Sequence, residues 1–168
     1  NMIKIFNSLF VTMFGLGKVK FAPGTLGSLA TVIILFYLFH TLKISSNIIL
    51  IGLVIVFIYS FYAISSHTKS NKNKDPGEII IDEFLGQSIP IYLYEVSHGT
   101  TKESGEAIIY YILFFILFRY FDIMKPFPVN FFDKNFKNSF GVIMDDICAG
   151  LYVVLTLVCF MIVKSYVL

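Results

Sequence analysis

A chain of 168 residues with 57% hydrophobic and only 14% charged residues, and a mean hydropathy of +0.78, is sized for one domain. It lies far from a soluble one, in which about a quarter of residues are charged. A net charge of +2 excludes the broad basic field that gathers nucleic acid, and the composition predicts an all-α, polytopic membrane helix bundle forming one membrane-embedded domain over residues 1–168.

The first apolar stretch, Ile3 to Leu16, is too short to cross a bilayer, which takes about 20 residues. No small-residue cleavage site follows it, so it reads as a short N-terminal interfacial helix rather than a signal peptide. Gly15 to Ser28, GLGKVKFAPGTLGS, comes next. It lacks the Gly-Lys-Ser/Thr of a Walker loop, yet a glycine-rich turn opening a helix offers free backbone N–H groups to an anion. The alternative is a plain membrane-entry turn in which Thr25 and Ser28 cap the helix.

Four to five transmembrane helices follow, near 25–43, 47–66, 79–96, 105–121 and 143–163. The third is the weakest, because Asp82, Glu83, Gln87 and Pro90 interrupt it, although membrane helices accept proline when neighbours satisfy the freed carbonyl. Cys148 and Cys159 match neither a zinc spacing nor a disulfide framework and are read as packing residues.

Threading five spans alternately places ten of the 13 Lys and Arg residues on one side and only Lys43, Lys102 and Lys164 on the other, which makes the first side cytoplasmic. Lys69, Lys72 and Lys74 read as topology signals. Topology does not require the acids to sort the same way, yet eight of eleven do, leaving Glu95, Glu103 and Glu106 on the far side.

A charge at mid-membrane costs about 2.5–3.5 kcal/mol on insertion scales, so four acids just inside two helix starts point to a site. Asp82 and Glu83 open the third segment, Asp145 and Asp146 open the fifth, and Asp122 closes the fourth. The short connections 97–104 and 122–142 make these helices neighbours. Carboxylates so gathered need neutralisation by protons or by a hard cation with oxygen ligands: Mg²⁺ first, with Mn²⁺ or Ca²⁺ as alternatives. Gly86, Ala149 and Gly150 lie one turn deeper than the acids, where helices can approach closely. Lys18, Arg119 and Lys125 fall on the same side, and carboxylate-held metal beside free cations is an arrangement that suits phosphate. Of the histidines, only His67 falls near the acids. Cysteine-based, Asp-x-Asp and histidine phosphatase signatures are absent.

Three stretches then resemble the signature blocks of the phosphatidylglycerophosphatase A family, in the same order and at similar spacing: GLGKVKFAPGTLGSL, DPGEIIIDEFLGQ and FRYFDIMKPFPVNFFDKNFKNSFGVIMDDICAGL. The resemblance implies a bacterial inner-membrane, multi-pass, Mg²⁺-dependent phosphatase. Its substrate would be phosphatidylglycerophosphate, converted to phosphatidylglycerol with the active site on the cytoplasmic side. By matching position it places Lys18, Pro23, Gly24 and Thr25 in the first block, Asp75, Asp82 and Glu83 in the second, and Arg119, Asp122, Lys125, Asp145 and Asp146 in the third. The chain departs from the family at Asn138, Ser139 and Phe140, where a glycine-richer turn is usual.

The expected roles are metal ligation by Asp82, Glu83, Asp122, Asp145 and Asp146, and substrate binding by Lys18, Thr25, Arg119 and Lys125. Asp82, Glu83 and Asp146 are the expected catalytic residues, with Asp75 in proton transfer. Attack by water and attack by an aspartate carboxylate both remain open. A phosphatase for another lipid phosphate is the nearest alternative. A cation carrier would need acids at mid-membrane or on both sides, and a membrane scaffold leaves the gathered acids and cations without a cause.

Overall fold

The computed structural model of the chain describes residues 2–70, 76–98 and 104–167. Asp75, with Lys72, Lys74, Lys102 and Glu103, lies outside the described residues. Among those described there are seven α-helices and no strand: α1 Met2–Val11, α2 Pro23–Phe36, α3 Ser46–Ser70, α4 Ile81–His98, α5 Ser104–Met124, α6 Val129–Asn135 and α7 Ser139–Val167. Four segments are long and apolar enough to cross a membrane: Pro23–Thr41, Ser46–Lys69, Gly105–Met124 and Ser139–Val163. Their outward faces carry exposed Ile33, Ile55, Ile116 and Leu155, and the chain is a membrane protein.

The expected third span differs from these four, and its polarity has a structural cause. Helix α4 packs against α2, α3, α5 and α7 at once, so the lipid contact that demands an apolar surface is replaced by protein. Asp82, Gln87, Ser88, Pro90 and Glu95 are all among its buried residues. Glycine makes the closest of these contacts possible. A Cβ on Gly86 would run into the Asp146 carbonyl, and one on Gly150 into the carbonyl of Gly86, so α4 and α7 meet backbone to backbone in the small-residue manner of membrane helices.

Local signals fix the helix starts. Pro23 stands at the first position of α2, where its missing N–H costs nothing. The Asn138 side chain accepts the Gly141 N–H at 3.1 Å, an N-cap that starts α7 at Ser139, four residues before the expected boundary. The polar side chain in the departing Asn138–Phe140 stretch thus has a structural role. Past α2 the chain makes a π-helical turn over Tyr37–Thr41. Helix α1 packs on α3, burying Asn7 and Val11 while Met2, Ile3, Ile5, Phe6 and Leu9 stay exposed. That one-sided apolar face is what an interfacial helix needs. The Ile80 N–H donates to the Val11 carbonyl at 2.9 Å, tying the end of α1 to the start of α4.

Candidate active site

The starts of α2, α4 and α7 and the end of α5 converge at one end of the bundle. Asp82 and Glu83, in the first turn of α4, meet Asp146 of α7, with one carboxylate oxygen of each lying within 4.8 Å of the others. Asp82 and Asp146 are buried and Glu83 is partly so. Asp82 Oδ1 and Glu83 Oε2 are buried with no hydrogen-bond partner among the described residues, a state that costs several kcal/mol per charged group unless something else satisfies it. Three carboxylates gathered this closely, two of them with unsatisfied oxygens, form a hard-donor set that fits Mg²⁺.

Asp145 and Asp122 are held apart from this trio by their own cations. The Lys125 ammonium lies 3.2 Å from Asp145 Oδ2 and 2.7 Å from Asp133 Oδ1. Partial burial disfavours the charge on Lys125, but the hydrogen bonds and charges of Asp133 and Asp145 outweigh it and hold the lysine above its ordinary pKa. Lys125 itself has φ of 45°, a left-handed conformation that a non-glycine residue rarely adopts and that clusters at functional sites. The Arg119 guanidinium donates to Asp122 at 2.6 Å and to the Ser28 hydroxyl at 3.4 Å. Gly24 lies against this group, since a Cβ there would strike the Glu83 carboxylate and come within 3.3 Å of Arg119 Nη1.

A cavity of about 980 Å³ opens here, walled by Asp82, Glu83, Asp122, Lys125, Asp145 and Asp146. Asp133, Lys69, Lys134 and Lys137 line it as well. The three lysines are exposed whereas Asp82, Asp145 and Asp146 are buried, so the cavity has acids within and cations at its surface. An anionic headgroup would be drawn in by the lysines before it met the acids.

The expected site residues thus fall into groups. Asp82, Glu83 and Asp146 come together; Asp145 and Asp122 adjoin them in ion pairs. Lys125 lines the cavity directly, while Arg119 reaches it through Asp122. Thr25 is half-buried in the first turn of α2 and lines no described cavity. Lys18 is exposed and borders a second, smaller cavity. Sequence reading overlooked Asp133 as a partner for Lys125. It resembles a solvated loop acid, and only α6, a seven-residue helix packed on α7, carries it to the lysine. His67, buried, lies 2.8 Å from Glu78 and lines both cavities.

The family described as Phosphatidylglycerophosphatase A matches residues 9–161. A phosphatidylglycerophosphatase A of Haemophilus influenzae is 35% identical over 147 residues, 88% of this chain and 83% of that protein. Its Escherichia coli counterpart is 29% identical, over 84% of this chain and 76% of its own length. A putative phosphatidylinositol-3-phosphatase of Bacteroides thetaiotaomicron is 34% identical, covering 86% of each. No solved structure matches the chain. With the family match spanning the glycine-rich turn, the α4 acids and the α5–α7 acids and cations alike, the chain belongs to the phosphatidylglycerophosphatase A family of phosphatases.

Proposed function

We propose that the chain is a Mg²⁺-dependent phosphatase of phospholipid biosynthesis, hydrolysing phosphatidylglycerophosphate to phosphatidylglycerol and phosphate at the cytoplasmic face of a bacterial inner membrane. The observation that carries this is the clustered trio Asp82, Glu83 and Asp146, which shares a cavity with exposed lysines and includes two buried oxygens, Asp82 Oδ1 and Glu83 Oε2, with no hydrogen-bond partner among the described residues. Those three residues would hold the ion, with Asp145 and Asp122 beside them. When bound, such an ion offsets phosphate charge and makes water a better nucleophile.

The chain's own residues then orient and balance the reaction. Lys69, Lys134 and Lys137 attract the phosphomonoester dianion, and Lys125, fixed between Asp133 and Asp145, meets it as a positioned cation. Arg119, braced by Asp122 and Ser28, keeps a fixed positive charge behind Asp122. Water adds to phosphorus, the bond from phosphorus to the glycerol oxygen breaks, and that oxygen takes up a proton. Asp75 is the proposed group for this proton transfer, and Thr25 and Lys18 complete the proposed substrate contacts. The acyl chains remain in lipid.

The Bacteroides relative favours a second reading, a phosphatase for another lipid phosphate. Purified protein assayed on phosphatidylglycerophosphate and on other lipid phosphates, with Mg²⁺ and with chelator, separates the two. Phosphate release should be fastest from phosphatidylglycerophosphate and should stop in chelator. Folded Asp82→Asn or Asp146→Asn protein working at the wild-type rate would remove the metal assignment.

A further inference from the structure

Beside the main cavity lies a second, of about 460 Å³, with α1, α3 and two 3-10 turns, Leu16–Lys18 and Pro76–Glu78, at its walls. Its polar lining is Lys4, Ser8, Lys18, His67 and Glu78, and the last two also line the main cavity. The two spaces therefore share a wall. Ile5 and Leu9 complete the lining and belong to the exposed apolar face of α1. The second cavity thus has cations on its polar side and a greasy edge continuous with the surface that suits a membrane interface.

Its position is built into the fold. A Cβ on Gly17 would strike the Glu78 carbonyl, so the turn bearing Lys18 sits directly on the turn bearing Glu78. The chain reaches that contact through Met13 and Phe14, at φ 44° and 59°. Two consecutive non-glycine residues in the left-handed region mark a backbone held there by its surroundings, a condition concentrated at ligand-binding segments. Glu78, which lies 2.8 Å from the His67 ring, is the one carboxylate of this lining, and the two ammonium groups of Lys4 and Lys18 outnumber it.

We propose that the second cavity is a subsite for the phosphodiester of a two-phosphate lipid whose terminal phosphomonoester occupies the main cavity, with Lys4 and Lys18 as its specificity-determining residues. The proposal rests on the lipid phosphatase reading above. Phosphatidylglycerophosphate carries a phosphodiester and, one glycerol unit away, a terminal phosphomonoester. Phosphatidate has only a phosphomonoester attached directly to diacylglycerol. One anion site cannot tell them apart by charge, whereas two adjoining sites can. Phosphatidylinositol 3-phosphate has the same two-phosphate layout on a different polyol, so a family built this way would accept either by altering the space between the sites.

Anionic headgroups of neighbouring lipids could engage the same lysines, and kinetics in micelles of uncharged detergent distinguish the two sources. Wild type, the double variant Lys4→Ala/Lys18→Ala and Lys18→Arg are compared on phosphatidylglycerophosphate and phosphatidate, with phosphatidylglycerol as inhibitor. Both lysines are exposed, so the variants should fold. For the double variant, KM for phosphatidylglycerophosphate should rise about tenfold, about 1.4 kcal/mol, with kcat little changed. The ratio of kcat/KM between the two lipids should fall by the same factor, inhibition by phosphatidylglycerol should weaken in parallel, and Lys18→Arg should retain all three. If the ratio and the inhibition stay put, whether the two rates fall together or not at all, the subsite is overturned and the lysines are surface anchors or bystanders. Wild type inactive on phosphatidylglycerophosphate would overturn the phosphatase reading itself.

Discussion

Helix α4 buries acid at each end, and the two ends are opposites. At its last turn, Glu95 is buried, with Oε1 accepting the Tyr111 hydroxyl at 3.0 Å and lying 2.9 Å from His40 Nε2. At its first turn, Asp82 and Glu83 face Asp146, and Asp82 Oδ1 and Glu83 Oε2 find no hydrogen-bond partner among the described residues. Glu95 draws its partners from the π-helical turn after α2 and from α5, so it staples three helices and leaves little for a ligand to gain. The other end has gathered like charges at a cost the fold does not itself repay, the mark of a site completed from outside.

Substitutions should separate the two ends, and the largest effect is expected at the unsatisfied one. Asp82→Asn and Asp146→Asn should each lower phosphate release by roughly 10²–10³. Either change also removes one of three mutually repelling charges, so the melting temperature in chelator should rise by about 2–4 °C. Activity and stability moving in opposite directions is the signature of a site; a fall in both would mean that these acids are structural.

Gly86→Ala sharpens the same comparison from the backbone side. Its Cβ meets the Asp146 carbonyl, an overpacking that should cost about 1–3 kcal/mol of stability and lower activity through displaced Asp146. Thermal unfolding in detergent beside an activity assay reads both. At the satisfied end, Glu95→Gln should cost about 1–2 kcal/mol by weakening two hydrogen bonds, with kcat within about threefold because no cavity residue moves. A large loss of kcat with intact stability would show that the far end takes part in chemistry.

How much of this was legible beforehand depended on whether the cause was local. Continuous apolar runs mark α2, α3, α5 and α7, since lipid contact dictates composition residue by residue. The α4 segment read as the weakest span because its surroundings are other helices, a fact no window along the chain contains. Asp82, Glu83 and Asp146 stood out because buried charge is expensive wherever it occurs, and Gly86 and Gly150 because close helix approach needs small residues. Asp133 did not: its role depends on α6 folding back on α7 and on Lys125 turning left-handed. The Glu95 staple joins residues 55 and 16 positions apart through a π-helical turn with no sequence mark. Lys18 was grouped with Arg119 and Lys125 on charge and side alone, whereas it borders the neighbouring cavity.

The central claim is that the clustered carboxylates of Asp82, Glu83 and Asp146 hold a divalent cation, and thermal unfolding in detergent with Mg²⁺ or chelator tests it most directly. A ligand at 100 times its Kd stabilises the folded state by about 2.7 kcal/mol. The wild-type protein should therefore melt several degrees higher with Mg²⁺, and Asp146→Asn should lose that increment while melting no lower than wild type in chelator. An equal Mg²⁺ increment in Asp146→Asn, or none in wild type, would contradict the account.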